Sequence, residues 1–396
     1  MSDKSKAEPA ENIENHLRAL RSAKGVSQGD LARMASVTRQ AIYAIENNLY
    51  LPTTAVALRL ARALDCRVED IFGLVTSGET VEGELLGQMP DGPDRTRVKV
   101  AHVGDCLIVR PVAELGSVLN YTVPADGLLL GPAKGGKGRQ RVRVELLRDR
   151  RSIDEGIVVA GCDPAIYLAG DHLRRRDARS SIIEWPTGSA AALEALKRGE
   201  VHVAGLHIVD ARTGESNLPY LRRHLRGEGY TIVTFAAWEA GVLLRHGNPK
   251  SIRTVSDFAR RDVEIVNREP GAGARLLLDL QLQALGMSAA RIKGYTRLAS
   301  SHLEVAHLVA MGQADAGIGV RSVSKLFDLD FIALQEERYD LVMPTRYLAS
   351  HPGLANLLDT MVSRAFRVEI EALGGYDMRD TGKVHDLKTV AVTKHH

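Results

Sequence analysis

The sequence predicts an N-terminal all-α domain, a β-rich connector and a C-terminal α/β domain. Three observations carry that prediction. Residues 12–74 hold short apolar-periodic segments, each opened by a capping residue, as packed short helices do. Residues 79–155 hold alternating runs such as RVKVAHV, DCLIVRPV and RVRVEL between Pro/Gly breaks, which read as strands. Residues 156–382 alternate β-branched runs (GIVVAG, SIIEW, VHVAGL, TIVTFA, VEIVN, AGIGV, FIAL) with helical stretches. That alternation predicts a parallel sheet with helices on both faces. The polar segments 1–11 and 383–396 read as tails, the first of them disordered.

Composition narrows the function classes. A chain of 396 residues suits two or three domains. Its 52 Lys+Arg against 49 Asp+Glu leave +3, so any nucleic-acid contact must come from a local patch. Aromatics at 5% argue against a base-stacking platform. The three cysteines form no CxxC pair and read as reduced. The N-terminus has no apolar signal region, and no run of about 18 apolar residues occurs. A cytoplasmic protein without a membrane partner is expected.

Within 12–74, the helix NIENHLRALRSAKG ends at Gly25, a residue type suited to the left-handed C-terminal position. Ser27 caps SQGDLARMA, with Asp30 placed for a reciprocal cap. Thr38 caps TRQAIYAIENN after a tight turn, Thr53 caps TTAVALRLARALD, and VEDIF follows as a short fifth helix. Two short helices joined by a tight turn make a helix-turn-helix. Arg39 and Gln40 open the second of them and are the residue types that read guanine and adenine bidentately. Tyr43 lies one turn on. Gln28 opens the preceding helix, where its amide and free backbone N–H groups suit a phosphate. Leu31, Ala41, Ile42, Ile45 and Leu60 read as core. The stretch SQGDLARMASVTRQAIYAIENNLYLPTTAVALRLARALDCRVEDIF closely resembles the Cro/C1 (XRE)-type helix-turn-helix of phage-repressor-like regulators. The resemblance implies a double-stranded DNA operator contacted by Gln28, Thr38, Arg39, Gln40 and Tyr43. It also implies a homodimer on paired half-sites, with assembly into tetramers left open. The basic run 134–151 reads as a solvated strand face that could add phosphate contacts.

In 156–344, strand ends repeatedly run through a small polar loop into a helix start. These are Cys162-Asp163-Pro164, Thr187-Gly188-Ser189, Asn267-Arg268 with Gly271, Gly273 and Arg275, and Ser300-Ser301-His302. Helix N-termini present unpaired N–H groups and partial positive charge, and such loops gather at the carboxyl ends of strands. An anion pocket is the expected product. The motifs VVAGCDPAIYLAG, HVAGLHIVDARTGESNLPYLRR, IVNREPGAGARLLLD, SSHLEVAHLVAMGQADAGIGV, ERYDLVMP and LGGYDMRDTG resemble, in order, the two-lobed type II periplasmic-binding-protein fold. They are most similar to the PBP-like or molybdate-binding domain fused to helix-turn-helix modules. The resemblance implies two chain crossings near Tyr230–Val242 and Phe331–Asp340, and an oxyanion held by the Asp163 backbone, Ser189, Gly271, Gly273, Ser301 and Tyr339. His207, Arg268, Arg275 and His302 stand near those motifs and depart from an all-neutral site. The same residues also fit plainer readings: Asp163 as a cap, His207 in the core, Arg268 in a lobe–lobe ion pair and Arg275 on an outer helix face.

No Walker, HExxH, GxSxG or GxGxxG motif occurs, and the 13 histidines show no ligand spacing. No cofactor, metal or catalytic set is therefore expected, and Cys162 reads as a buried structural cysteine or a redox sensor. The expectation is a one-component transcription regulator sensing a small anion, molybdate or tungstate first. An organic anion, a purine-type metabolite or an enzyme acting in the cleft remain the alternatives.

Overall fold

Among the described residues, five short helices and a two-stranded ribbon make the first of two units, Met1–Glu79 and Thr80–His396, in a computed structural model of the chain. The structure describes residues 13–74, 78–89, 95–115, 123–133, 139–177, 180–225 and 229–387. The tail expected over 1–11 lies outside them.

In the first unit the helices are α1 (Leu17–Ala23), α2 (Gln28–Met34), α3 (Arg39–Glu46), α4 (Thr54–Ala63) and α5 (Val68–Ile71). Ser27, Thr38 and Thr53 each accept the N–H three residues on, capping α2, α3 and α4. The first helix starts later than the sequence pattern suggests. Ile13–Asn15 is a strand, β1, paired antiparallel with β2 (Phe72–Leu74). Asn15 ends it: its side chain accepts the Leu17 N–H at 3.0 Å and donates to the Ile45 carbonyl at 2.5 Å. Those bonds compete with a helix through Asn15. Leu17, Leu31, Ile42, Ile45, Leu60, Leu64 and Ile71 are fully buried together, whereas Ala41 is only half-buried.

The second unit opens with a closed five-stranded barrel where the sequence predicts a β-rich connector. Its strands are β3 (Thr80–Leu85), β4 (Thr96–Val103), β5 (Cys106–Pro111), β6 (Gly127–Pro132) and β7 (Arg141–Leu146), in the order β3-β5-β4-β6-β7. Closure requires Gly83, where a Cβ would stand 2.6 Å from Val109 Cγ2. Val98, Val100, Val109, Val142 and Val144 fill the barrel core, while Leu86, Ala101, Val103 and Ile108 join the core of the α/β part. In the basic run, Arg139, Arg141 and Arg148 pair with Glu84 and Glu200, Glu82, and Asp126.

After α6 (Arg150–Asp154), the first lobe carries β8 (Gly156–Gly161), α7 (Ala165–Arg176), β9 (Ser181–Pro186), α8 (Ser189–Lys197), β10 (Val203–Leu206) and α9 (Leu218–His224). The long strand β11 (Tyr230–Leu244) crosses to the second lobe. That lobe holds β12 (Ile265–Arg268), α10 (Gly273–Ala284), β13 (Leu298–Ala299), α11 (His302–Ala310), β14 (Ala316–Val320) and α12 (Arg321–Leu326). The equally long β15 (Asp330–Pro344) returns, and α13 (Thr345–Ser350), α14 (Pro352–Val362) and α15 (Arg364–Leu373) follow it. The sheet order is β13-β12-β14-β11-β15-β10-β8-β9. β8, β9 and β10 run parallel on one side, β12, β13 and β14 on the other. Antiparallel β11 and β15 join the two halves, with shifts in register at Thr234/Ala236 and Ala240/Gly241. These strands are the two crossings the sequence motifs imply. The ordered chain also runs past 382: β16 (Tyr376–Asp377) and β17 (Val384–His385) both add to β11, so the tail expected from 383 begins as sheet. Among the described residues, no helix is long and apolar enough to cross a membrane.

Candidate functional site

The exposed face of α3 is the first candidate. Arg39, Gln40 and Tyr43 are solvent-exposed, and Tyr43 is 55% exposed. Positions three and four apart on a helix share a face, so these side chains form one polar–aromatic patch at the start of α3. Gln28 and Thr38 are placed differently. The Gln28 amide donates to Glu46 Oε2 at 2.6 Å, and Glu46 also takes the Arg21 guanidinium. Gln28 therefore ties α2 to α3 through one amide hydrogen. Thr38 spends its hydroxyl oxygen on the Ala41 N–H as the α3 cap.

The second candidate is the seam between the lobes. Here α8 and α10 meet N-terminus to N-terminus, and the Ala190 N–H donates to the Gly271 carbonyl at 3.3 Å. Gly271 has φ 87°, and a Cβ there would lie 2.8 Å from Ala190 Cβ. A Cβ on Gly273 would strike His207. The two glycines thus let the lobes touch.

His207 is the hub of the seam. Its Nε2 lies 3.1 Å from Cys162 Sγ, its Nδ1 2.6 Å from Glu337 Oε2, and its backbone N–H donates to Ser189 Oγ at 3.2 Å. Burial alone would lower its pKa, but the adjacent Cys162 sulfur and Glu337 carboxylate raise it to about 10. His302, from the second lobe, packs 5.3 Å from His207, centroid to centroid. Both its ring nitrogens are buried without a hydrogen-bond partner, and burial, Arg268 and His207 hold its pKa well below the ordinary histidine value. Cys162, His207 and His302 place one ligand atom each within 4.8 Å of one another. The fold, not the spacing along the chain, gathers the three. These residues lie 45 and 95 positions apart, so no local spacing reveals them.

Tyr339 stands on β15, with its hydroxyl buried and unpartnered. A Cβ on Gly161 or Gly205 would collide with that hydroxyl, so the ends of β8 and β10 are cut to receive it. Asp163 Oδ1 accepts the Tyr376 hydroxyl at 2.6 Å and the Ala165 N–H at 3.0 Å, whereas Oδ2 is buried without a partner. Burial pushes the Asp163 carboxyl up to about 6 against those two hydrogen bonds. Arg268 is 1% exposed. Its Nε and Nη2 hold Glu269, Nη2 also reaches the Ser300 carbonyl, and Nη1 has no hydrogen-bond partner.

Two sequence candidates are otherwise engaged. Arg275 pairs with Asp279 one turn along α10 and stacks over Tyr295 at 4.1 Å. Ser301 caps α11 by accepting the Glu304 N–H. Glu337 and Tyr376 were not singled out from the sequence. Alternation along a strand puts Glu337 on the same face as Tyr339, which is the signal that could have found it.

Two α/β lobes joined by two crossing strands, with buried polar groups gathered where they meet, define a binding-protein-like ligand domain; the first unit is a helix-turn-helix. Comparison with known proteins agrees. The helix-turn-helix family model matches residues 17–71, and that of the PBP superfamily domain matches residues 170–362. YvgK of Bacillus subtilis is 34% identical over 228 residues, 58% of this chain and 73% of YvgK. The HTH-type transcriptional regulator YgzD of Bacillus subtilis is 37% identical over 62 residues, 16% of this chain and 94% of YgzD. An ABC-type phosphate transport receptor from Vibrio cholerae is similar in fold, at 11% identity and TM-score 0.38, over 56% of this chain and 99% of the receptor. The chain belongs to the PBP superfamily-domain family and carries an XRE-type helix-turn-helix at its N-terminus. It is a DNA-binding regulator joined to a PBP-like ligand domain.

Proposed function

We propose that the protein is a one-component transcription regulator in which a small anion, bound in the lobe seam, changes the affinity of the helix-turn-helix for its operator. The observation that carries the effector assignment is Arg268. A guanidinium that is 1% exposed and leaves Nη1 without a hydrogen bond bears an uncompensated desolvation cost, which an anion would remove. The unpartnered Tyr339 hydroxyl supports the same reading with a neutral donor. Glu269 offsets the Arg268 charge, so selection rests on hydrogen-bond geometry more than on net charge. Molybdate and tungstate come first because the sequence motifs resemble molybdate-binding domains.

One observation favours an organic or protonated anion as a second reading. Asp163 Oδ2 is a buried acceptor without a donor. Molybdate has no proton to give at neutral pH, whereas hydrogen phosphate or a hydroxy acid has. Thermal-shift titration with molybdate, tungstate, phosphate and small hydroxy acids tests both. Stabilisation by at least one of these anions, lost in Arg268→Met, is expected. No response to any of them would sink the anion assignment. On DNA, we place Arg39 and Gln40 on base edges, and a dimer on paired half-sites in the cytoplasm.

A further inference from the structure

The seam holds a second chemistry that the anion reading does not use. Cys162, at the end of β8, and His207, at the end of β10, belong to the first lobe; His302 opens α11 in the second. All three are at least nine-tenths buried. We propose that Cys162 Sγ, His207 Nε2 and one ring nitrogen of His302 form a binding site for a thiophilic cation, Zn²⁺ in first place, that clasps the two lobes.

Four features of the geometry support it. The first is spacing. With Zn–S near 2.3 Å and Zn–N near 2.0–2.1 Å, ligand atoms around a tetrahedral ion lie roughly 3.5 Å apart. The three atoms here lie between 3.1 Å, for Cys162 to His207, and 4.8 Å. The second is orientation. Metal-binding histidines commonly donate their other ring N–H to a carboxylate, which fixes the tautomer. His207 has that arrangement: Nδ1 meets Glu337 Oε2 at 2.6 Å, which directs Nε2 toward Cys162. Glu337 is itself held by the Gln335 amide at 2.7 Å and the Trp238 indole N–H at 3.4 Å. The third is His302, whose two ring nitrogens are buried and unpartnered, where buried polar groups in proteins as a rule find partners. A cation accounts for it; a Cys162–His207 ion pair alone does not. The fourth is charge. A Cys162 thiolate and the Glu337 carboxylate together balance a divalent ion, and binding displaces the thiol proton and any proton on His207 Nε2 to solvent.

One thiolate with two imidazoles suits Zn²⁺ or Cu⁺ over Mg²⁺ or Ca²⁺. Three protein ligands leave one position for an exchangeable fourth, as in zinc sites that bind a small molecule. Because the ligands come from both lobes, loading would couple metal availability to lobe closure.

The test uses the full chain, stripped with chelator under reducing conditions. It is titrated with Zn²⁺, Cu⁺ and, as a spectroscopic probe, Co²⁺, without added anion. One ion per chain is expected, with a thiolate-to-cobalt charge-transfer band. Cys162→Ser should abolish the band, and His302→Gln should weaken binding at least tenfold. Glu337→Gln should weaken it about 10–100-fold while keeping the band. Absence of the band in loaded wild type overturns the proposal, whether or not a variant folds. Equal affinity in wild type, folded Cys162→Ser and folded His302→Gln also overturns it, by placing the ion elsewhere. Because loading is read without anion, and the anion response is read on metal-free protein, either reading can fail without the other.

Discussion

Glu46 shows how one buried side chain sets the geometry of the DNA-contact module. Its side chain is 1% exposed and collects Arg21 from α1 and Gln28 from α2. Breaking a buried pair strands the partner's charge, so Glu46→Ala should cost the first unit about 3 kcal/mol in urea unfolding. Burial opposes ionisation of Glu46, but Arg21 and Gln28 outweigh it and hold the carboxyl below its ordinary value. A depressed folded-state pKa gives stability that is present above the unfolded value and lost as pH falls through the folded one. Glu46→Gln should therefore flatten the acid limb of the unfolding curve below about pH 4.3. Arg39 and Gln40 should behave otherwise. Substituting either with Ala should leave stability unchanged and cost about 1–3 kcal/mol of discrimination at one base pair, read by anisotropy against single-substituted operators. The exposed placement of Arg39 and Gln40 at a helix start is legible in the sequence, because the Thr38 cap fixes where the helix begins. The Gln28 contact with Glu46 is not legible there, because its partner lies 18 residues on.

Among the elements, β10 carries two further checks. Gly205 lies within β10, and a Cβ there would strike the Tyr339 hydroxyl. Gly205→Ala should destabilise the second unit, and adding Tyr339→Phe should recover part of the loss, a coupling that a double-mutant cycle measures. His202 precedes β10 and accepts the Val158 N–H with Nδ1 at 3.0 Å. Burial first, then His351, lowers its pKa to about 3. The depressed value means that stability is complete above the unfolded pKa near 6.5 and falls as pH drops below it. Between pH 7.5 and 5 the loss should be about 2 kcal/mol, and His202→Asn should remove most of it. The strands themselves are legible in part: the apolar runs GIVVAG, VHVAGL, TIVTFA and FIAL stand out against polar loops, but the full length of β11 and β15 does not. Their partners were not. Alternation marks 97–103, 105–112 and 141–146 as strands but not 80–85, whose parallel pairing of Glu84 with Ile108 closes the barrel. Likewise Cys162, His207 and Glu337 meet only because β8, β10 and β15 are neighbours in the sheet.

For the molecule as a regulator, the claim is a coupling free energy between two sites. An effector that shifts operator affinity five-fold supplies about 1 kcal/mol of coupling, and the operator must change effector affinity by the same factor. The order of domains along the chain was readable from composition and motif. The identity of the effector was not, because Arg268, Asp163 and Tyr339 present one cation, one acceptor and one hydroxyl, a set that several small anions satisfy. The most direct measurement is operator affinity of the full chain, on a site selected by that chain from random DNA, with and without saturating anion at fixed ionic strength. A change of at least five-fold is expected in wild type and none in Arg268→Met. An anion that binds wild type tightly yet leaves operator affinity unchanged would contradict it.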